Sequence, residues 1–122
     1  MWTLQPEAEY EKKVKAWPKK HHRELLAMYD NLDTLLTALN RGAKVGSFKF
    51  GFMHPEPRGV IAIDQKGGGP GLKETRLYTY PRSALQVLYL ITVGDKSTQK
   101  ADIQYASQFV DGLQPRKADS NG

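Results

Sequence analysis

Leu72-Lys-Glu-Thr-Arg-Leu-Tyr-Thr-Tyr-Pro81 and, three residues later, Leu85-Gln-Val-Leu-Tyr-Leu-Ile-Thr-Val93 decide the fold of this 122-residue chain. In the first stretch Arg76, Tyr78 and Tyr80 fall on one face of an extended segment, and Leu77 and Thr79 on the other, which is the two-residue period of a strand. The second is almost continuously apolar, as a central strand covered on both faces is. Pro81-Arg-Ser-Ala84 between them is a short hairpin connection.

Working outward, Val60-Ile-Ala-Ile63 is a further β-prone run, and Gly67-Gly-Gly-Pro-Gly71 is the loop that follows it. Downstream of Gly94-Asp95, a helix from about Ser97 to Leu113 presents Ile103, Ala106, Val110 and Leu113 inward. Upstream, Leu25, Met28, Leu32, Leu35, Leu36 and Leu39 recur at three- and four-residue spacing, so Lys19 to Asn40 reads as an amphipathic helix that Gly42 stops. Glu7 to Trp17 reads as another helix, acidic at its start and basic at its end, and Pro18 closes it or opens the next helix at its first turn. Trp2-Thr-Leu-Gln reads as a short strand. Residues 43 to 58 form a connecting segment with a short strand at Ser47 to Phe52. The order predicts an α+β fold: a small twisted, mainly antiparallel sheet, two N-terminal helices packed on one face, a short C-terminal helix, and the other face partly open. One domain is expected over 1–113, with a flexible polar tail over 114–122.

Lys and Arg number 18 against 13 Asp and Glu, a net charge of +5 that favours polyanionic partners by counterion release. With no cysteine, a disulfide framework, a thiolate metal site and a cysteine nucleophile are all excluded, and the cytoplasm is the expected compartment. The N-terminus has no basic segment followed by an apolar stretch, and no window approaches the roughly 18 apolar residues of a membrane span. Neither secretion by a signal peptide nor membrane insertion is expected.

The run from Leu72 to Ile103 resembles the C-terminal half of RelE/ParE-family toxins of type II toxin–antitoxin modules. An arginine on a central strand is followed by an apolar strand entering Gly94-Asp-Lys96 and a short helix, and the two N-terminal helices resemble the family's helical hairpin. The resemblance implies a ribosome-dependent, metal-independent mRNA endonuclease without a cofactor, whose partners are a cognate antitoxin, mRNA and the ribosome. Its chemistry is attack of an RNA 2′-hydroxyl on the neighbouring phosphate. Carried over by position, Arg76 matches the strand arginine and Lys96 the basic residue after the turn. The family's histidine or aromatic acid near the C-terminal helix has no counterpart; Asp102 stands near that place and Tyr105 one turn on. ParE-like members act on DNA gyrase without catalysis, and a basic RNA-binding domain without activity is a third reading.

The candidate catalytic set is Arg76, Lys96, Tyr78 and His54; the candidate RNA-binding set is Lys66, Lys73, Arg82 and Lys100. Arg76 and Tyr78 on one strand face can converge on one phosphate or stack on one base. An exposed strand face with a salt bridge from Arg76 to Glu74 or Asp64 is the plainer account. His54, in a Met-His-Pro loop, has the unperturbed pKa of a general acid or base, although a loop histidine is often only solvated. Lys66 and Lys73 flank the glycine loop, which lacks the ending and following helix of a phosphate-binding P-loop. Lys12, Lys13, Lys15, Lys19 and Lys20, with His21, His22 and Arg23, form the densest basic cluster, either a polyanion surface or a solvated helix junction. His21 and His22 diverge by about 100° on a helix, so no metal site is expected.

Overall fold

A computed structural model describes residues 1–113; the tail expected at 114–122 lies outside the described residues. The chain runs through β1 (Thr3–Pro6), α1 (Ala8–Lys15), α2 (His22–Asn40), β2 (Met53–Pro55), β3 (Ile61–Asp64), β4 (Thr75–Arg82), β5 (Val87–Asp95) and α3 (Gln99–Leu113). The class is α+β, and the sheet order is β1-β5-β4-β3-β2. Every neighbouring pair is antiparallel except β1 with β5, where Thr3 to Pro6 run alongside Val87 to Leu90. A parallel pair needs a long crossover, and the segment from α1 to β4 supplies it.

The expected amphipathic stripe of α2 is buried at Leu25, Met28, Leu32, Leu35 and Leu39. Together with Tyr10 of α1 it packs on Ile61, Ile63, Leu77, Leu88, Leu90 and Val93. Gly42 ends α2 with φ +91, its N–H bonding Leu39 C=O (3.0 Å) while that of Ala43 bonds Ala38 C=O (3.2 Å), a Schellman pair that only a residue tolerant of the left-handed region closes easily. The helix begins later than Lys19, because Lys19–His21 is a separate 3₁₀ turn beneath Pro18.

α3 packs on the opposite face, with Ala106 and Val110 against Val60, Ala62, Tyr78 and Ile91. The face expected to be partly open is therefore largely covered, giving three layers. The helix is long enough, and apolar on one stripe, to span β4 and β5. At its start Asp95 accepts the Ser97 N–H (2.9 Å) and the Thr98 hydroxyl accepts the Asp95 N–H (3.3 Å), a capping box that turns the chain back over the sheet. Between β4 and β5 the register steps from Tyr78↔Thr92 to Thr79↔Leu90, so Ile91 is the extra residue of a β-bulge.

The short strand expected at Ser47 to Phe52 lies instead at Met53–Pro55. A turn closed by Met53 N–H to Phe50 C=O (3.1 Å) precedes it, so pairing with β3 begins at Phe52, whose C=O accepts the Asp64 N–H (3.0 Å), and the register runs on from Met53. Among the described residues no helix is long and apolar enough to cross a membrane.

Candidate nucleic-acid interface

Strand alternation and register assemble the site on the α3 face. Arg76 lies opposite Asp64, and His54 lies opposite Ala62, which packs under α3. His54, Asp64 and Arg76 thus share one face at one end of the sheet. His54 Nε2 stands 2.7 Å from Asp64 Oδ2; the histidine side chain is 29% exposed and the aspartate 8%. Asp64 is held in turn by the Lys66 N–H on Oδ1 (2.7 Å). An ionised carboxylate only accepts, so with a neutral imidazole this contact puts the hydrogen on Nε2 and leaves Nδ1 its lone pair. That is the arrangement of an oriented imidazole ready to take or give a proton.

Arg76 is 16% exposed, and its guanidinium reaches Glu56 (3.4 Å) and Glu74 (3.3 Å). The plain expectation of a salt bridge to Glu74 is met, whereas Asp64 is engaged by His54 instead. Both arginine contacts are long, and Glu74 is 43% exposed, so they hold the group in place without the strength of a short bidentate pair.

Tyr78 requires a correction. Expected to stack on or orient RNA, it is fully buried at 0% exposure beneath α3. Burial, and next the charge of Asp102, push its phenol pKa up, so the hydroxyl stays protonated. The reason is the coverage by α3, which strand alternation alone does not reveal. Tyr78 OH, Thr92 Oγ1 and Arg76 Nε are buried without a hydrogen-bond partner among the described residues. Asp102 is buried beside them, bonded to Thr98 Oγ1 (2.7 Å) and to Lys13 Nζ (2.9 Å). It lies directly over Gly94, where an added Cβ would overlap the Asp102 carboxylate and the Thr98 hydroxyl. Asp102, near the place of the implied leaving-group acid, is thus committed to a bridge between α1 and α3.

The remaining basic residues divide by position. Lys73 donates its N–H to Glu24 of α2 (3.2 Å), and its ammonium pairs with Asp95 (3.1 Å). The α1–α2 junction, the end of the glycine loop and the end of β5 therefore meet at one end of the molecule. This is also the end at which Asp64, Arg76 and Gly94 are in register. Exposed Lys19, Lys20, Arg23, Lys66, Lys96 and Lys100 lie along elements that converge there. His21 is not free to join them, because its Nδ1 bonds Glu24 (2.9 Å). Burial raises the Glu24 pKa, but hydrogen bonds from its own N–H, the Lys73 N–H and His21 outweigh this and lower it. Arg82 does not belong to the group: it bonds Tyr89 OH (3.1 Å) six residues along β4 from Arg76, roughly 20 Å away at strand rise.

Sequence reasoning found His54 and Arg76 separately but missed that Asp64 orients the first and Glu56 holds the second. It also missed Phe48, Phe50 and Phe52, whose alternate spacing was the available signal. Among the described residues no group of three or more His, Asp or Glu side chains could hold a metal ion. In comparisons with known proteins, no family model, no curated protein and no solved structure matches the chain.

Proposed function

We propose that the chain is a RelE/ParE-type toxin, a ribosome-dependent endonuclease that cuts mRNA by attack of a 2′-hydroxyl on the adjacent phosphate. The observation that carries the reading is the His54–Asp64 pair at 2.7 Å with Arg76 opposite Asp64 on the same face. Nδ1 of His54 takes the 2′-hydroxyl proton, Arg76 balances charge on the phosphate as it becomes five-coordinate, and the P–O5′ bond then breaks to leave the 2′,3′-cyclic phosphate, the departing 5′-oxygen taking its proton from water. Phosphate entry displaces the long contacts from Glu56 or Glu74 to the guanidinium. Lys66, Lys73, Lys96 and Lys100 supply a basic rim for the flanking backbone. The helical hairpin, the antiparallel strands and the C-terminal helix support the same reading, since the resemblance implies that order.

Overproduction of the wild-type chain is expected to arrest growth and stop translation, with mRNA fragments ending in 2′,3′-cyclic phosphate. His54→Gln and Arg76→Ala are each expected to relieve arrest while leaving the circular dichroism spectrum unchanged. Growth arrest with intact mRNA and inhibited supercoiling would instead establish the gyrase reading. A second reading, RNA binding without cleavage, is favoured by the neutralisation of Arg76 by two carboxylates. Binding of RNA by a chain that never cuts it, on or off ribosomes, would decide for that reading.

A further inference from the structure

Three of the four phenylalanines in the chain, Phe48, Phe50 and Phe52, lie in the irregular segment leading into β2. Their rings form one column: Phe48 and Phe50 have centroids 5.7 Å apart at 18°, and Phe50 and Phe52 5.1 Å apart at 8°. Phe48 and Phe52 lean on the α1/α2 side of the core, whereas Phe50 belongs to neither core cluster. The column is thus anchored at both ends, and its middle rung is half-buried between them. Core packing explains the outer two rings, whereas Phe50 is held by its stacking on them and keeps part of its apolar surface in water.

The charge around the column is one-sided. No Asp or Glu occurs from Thr34 to Pro55, while Arg41, Lys44 and Lys49 in that interval are exposed. Lys66 adds a fourth cation, its ammonium meeting Gly51 C=O at 3.3 Å. The same residue donates its N–H to Asp64, so a single lysine bridges the column and the His54–Asp64 pair. Near-parallel rings beside cations, in a stretch without acids, match a ligand that is both flat and polyanionic.

We propose that the Phe48–Phe50–Phe52 column is a base-stacking subsite for single-stranded RNA, with Lys49 and Lys66 on the backbone phosphates. This rests on the RNA reading of the His54 site and adds how the strand is gripped beside it. Stacking tolerates any base, so the subsite supplies affinity and strand direction rather than a sequence code.

The test is fluorescence anisotropy with a labelled 2′-O-methyl octaribonucleotide, which binds but cannot be cut, and the full chain. Phe50→Leu, which keeps an apolar side chain but removes the ring, is expected to weaken binding about tenfold. Phe50→Trp is expected to bind at least as tightly as wild type and to show extra fluorescence quenching on RNA addition. A contiguous run of abasic sites in the oligonucleotide is expected to lose the same factor, and Phe50→Leu to weaken that oligonucleotide no further. Equal binding by wild type and Phe50→Leu, or no extra quenching in Phe50→Trp, overturns the subsite while leaving the His54 site standing. Equal competition by polyglutamate and RNA also overturns it, because the surface then reads charge alone. No binding of RNA by wild type sinks both readings together.

Discussion

The two faces of the sheet differ in what they bury. On the α1/α2 side Met28, Leu35, Ile63, Leu77, Leu88 and Val93 are almost wholly inaccessible, and polar groups among them are paired: Thr79 donates its hydroxyl to Ile61 C=O (2.9 Å), Trp17 its indole N–H to His21 C=O (3.0 Å), and the Tyr10 and Tyr29 hydroxyls bond each other. On the α3 side a smaller apolar group, Ala62, Ile91, Ala106 and Val110, gives way along the strands to Arg76, Tyr78, Thr92 and Asp102. The three buried side-chain atoms without a partner among the described residues all fall on that side. A polar atom buried in this way gives up its hydrogen bond to water and gains none in return. One face therefore supplies stability, and the other spends part of it to keep polar groups next to the candidate site.

This contrast can be broken most directly by Leu77→Ala, which removes a side chain 1% exposed at the centre of the aliphatic face. A loss of about 3 kcal/mol in urea unfolding is expected; a loss below about 1 kcal/mol would remove the distinction between the faces. Gly94→Ala acts on the other side, forcing Asp102 and Thr98 away from the sheet, with an expected loss of about 2 kcal/mol. Recovery of that stability in Gly94→Ala combined with Asp102→Ala would show that the overlap alone is responsible.

Asp95→Ala is expected to cost about 1 kcal/mol at neutral pH through loss of the cap on the turn before α3. The Ser97 side-chain hydrogen bond, aided by Lys73, holds the Asp95 carboxyl down at about 2 against the opposing effect of burial. A depressed carboxylate stabilises the fold above its unfolded pKa, about 3.9, and that stability is lost as pH falls towards 2. The wild-type advantage over Asp95→Ala is therefore expected to shrink across pH 4 to 2 in thermal unfolding. The smallest effect belongs to Tyr78→Phe. Removing a buried hydroxyl that has no partner is expected to change stability by less than about 0.5 kcal/mol, or to raise it slightly. RNA binding and growth arrest should be unaltered, and a loss of either would return Tyr78 to the site.

Much of the fold was legible from period alone. The α2 stripe, the stop at Gly42, the β4–β5 hairpin and the inward residues of α3 follow from local spacing, because 3.6- and 2-residue repeats say which side of an element is apolar. The start of β2 was not, since Gly51 and the stacked phenylalanines set a turn that mimics a strand's alternation. Among site residues, His54 and Arg76 stand out by chemical type, but nothing local joins them. Asp64, ten residues from His54 and twelve from Arg76, meets both only through pairing of three strands.

By itself, the sequence determined the class of fold, the basic surface, the absence of thiol chemistry and the types of residue available for a site. Tertiary structure alone decided that β1 pairs parallel to β5, that α3 covers Tyr78, and that Arg82 stands far from Arg76. It alone brought His54, Asp64 and Arg76 to one end of one face. The physical reason is that periodicity reports which side of an element avoids water, whereas contacts between elements depend on register and crossing direction, which are settled only when all the faces are buried together.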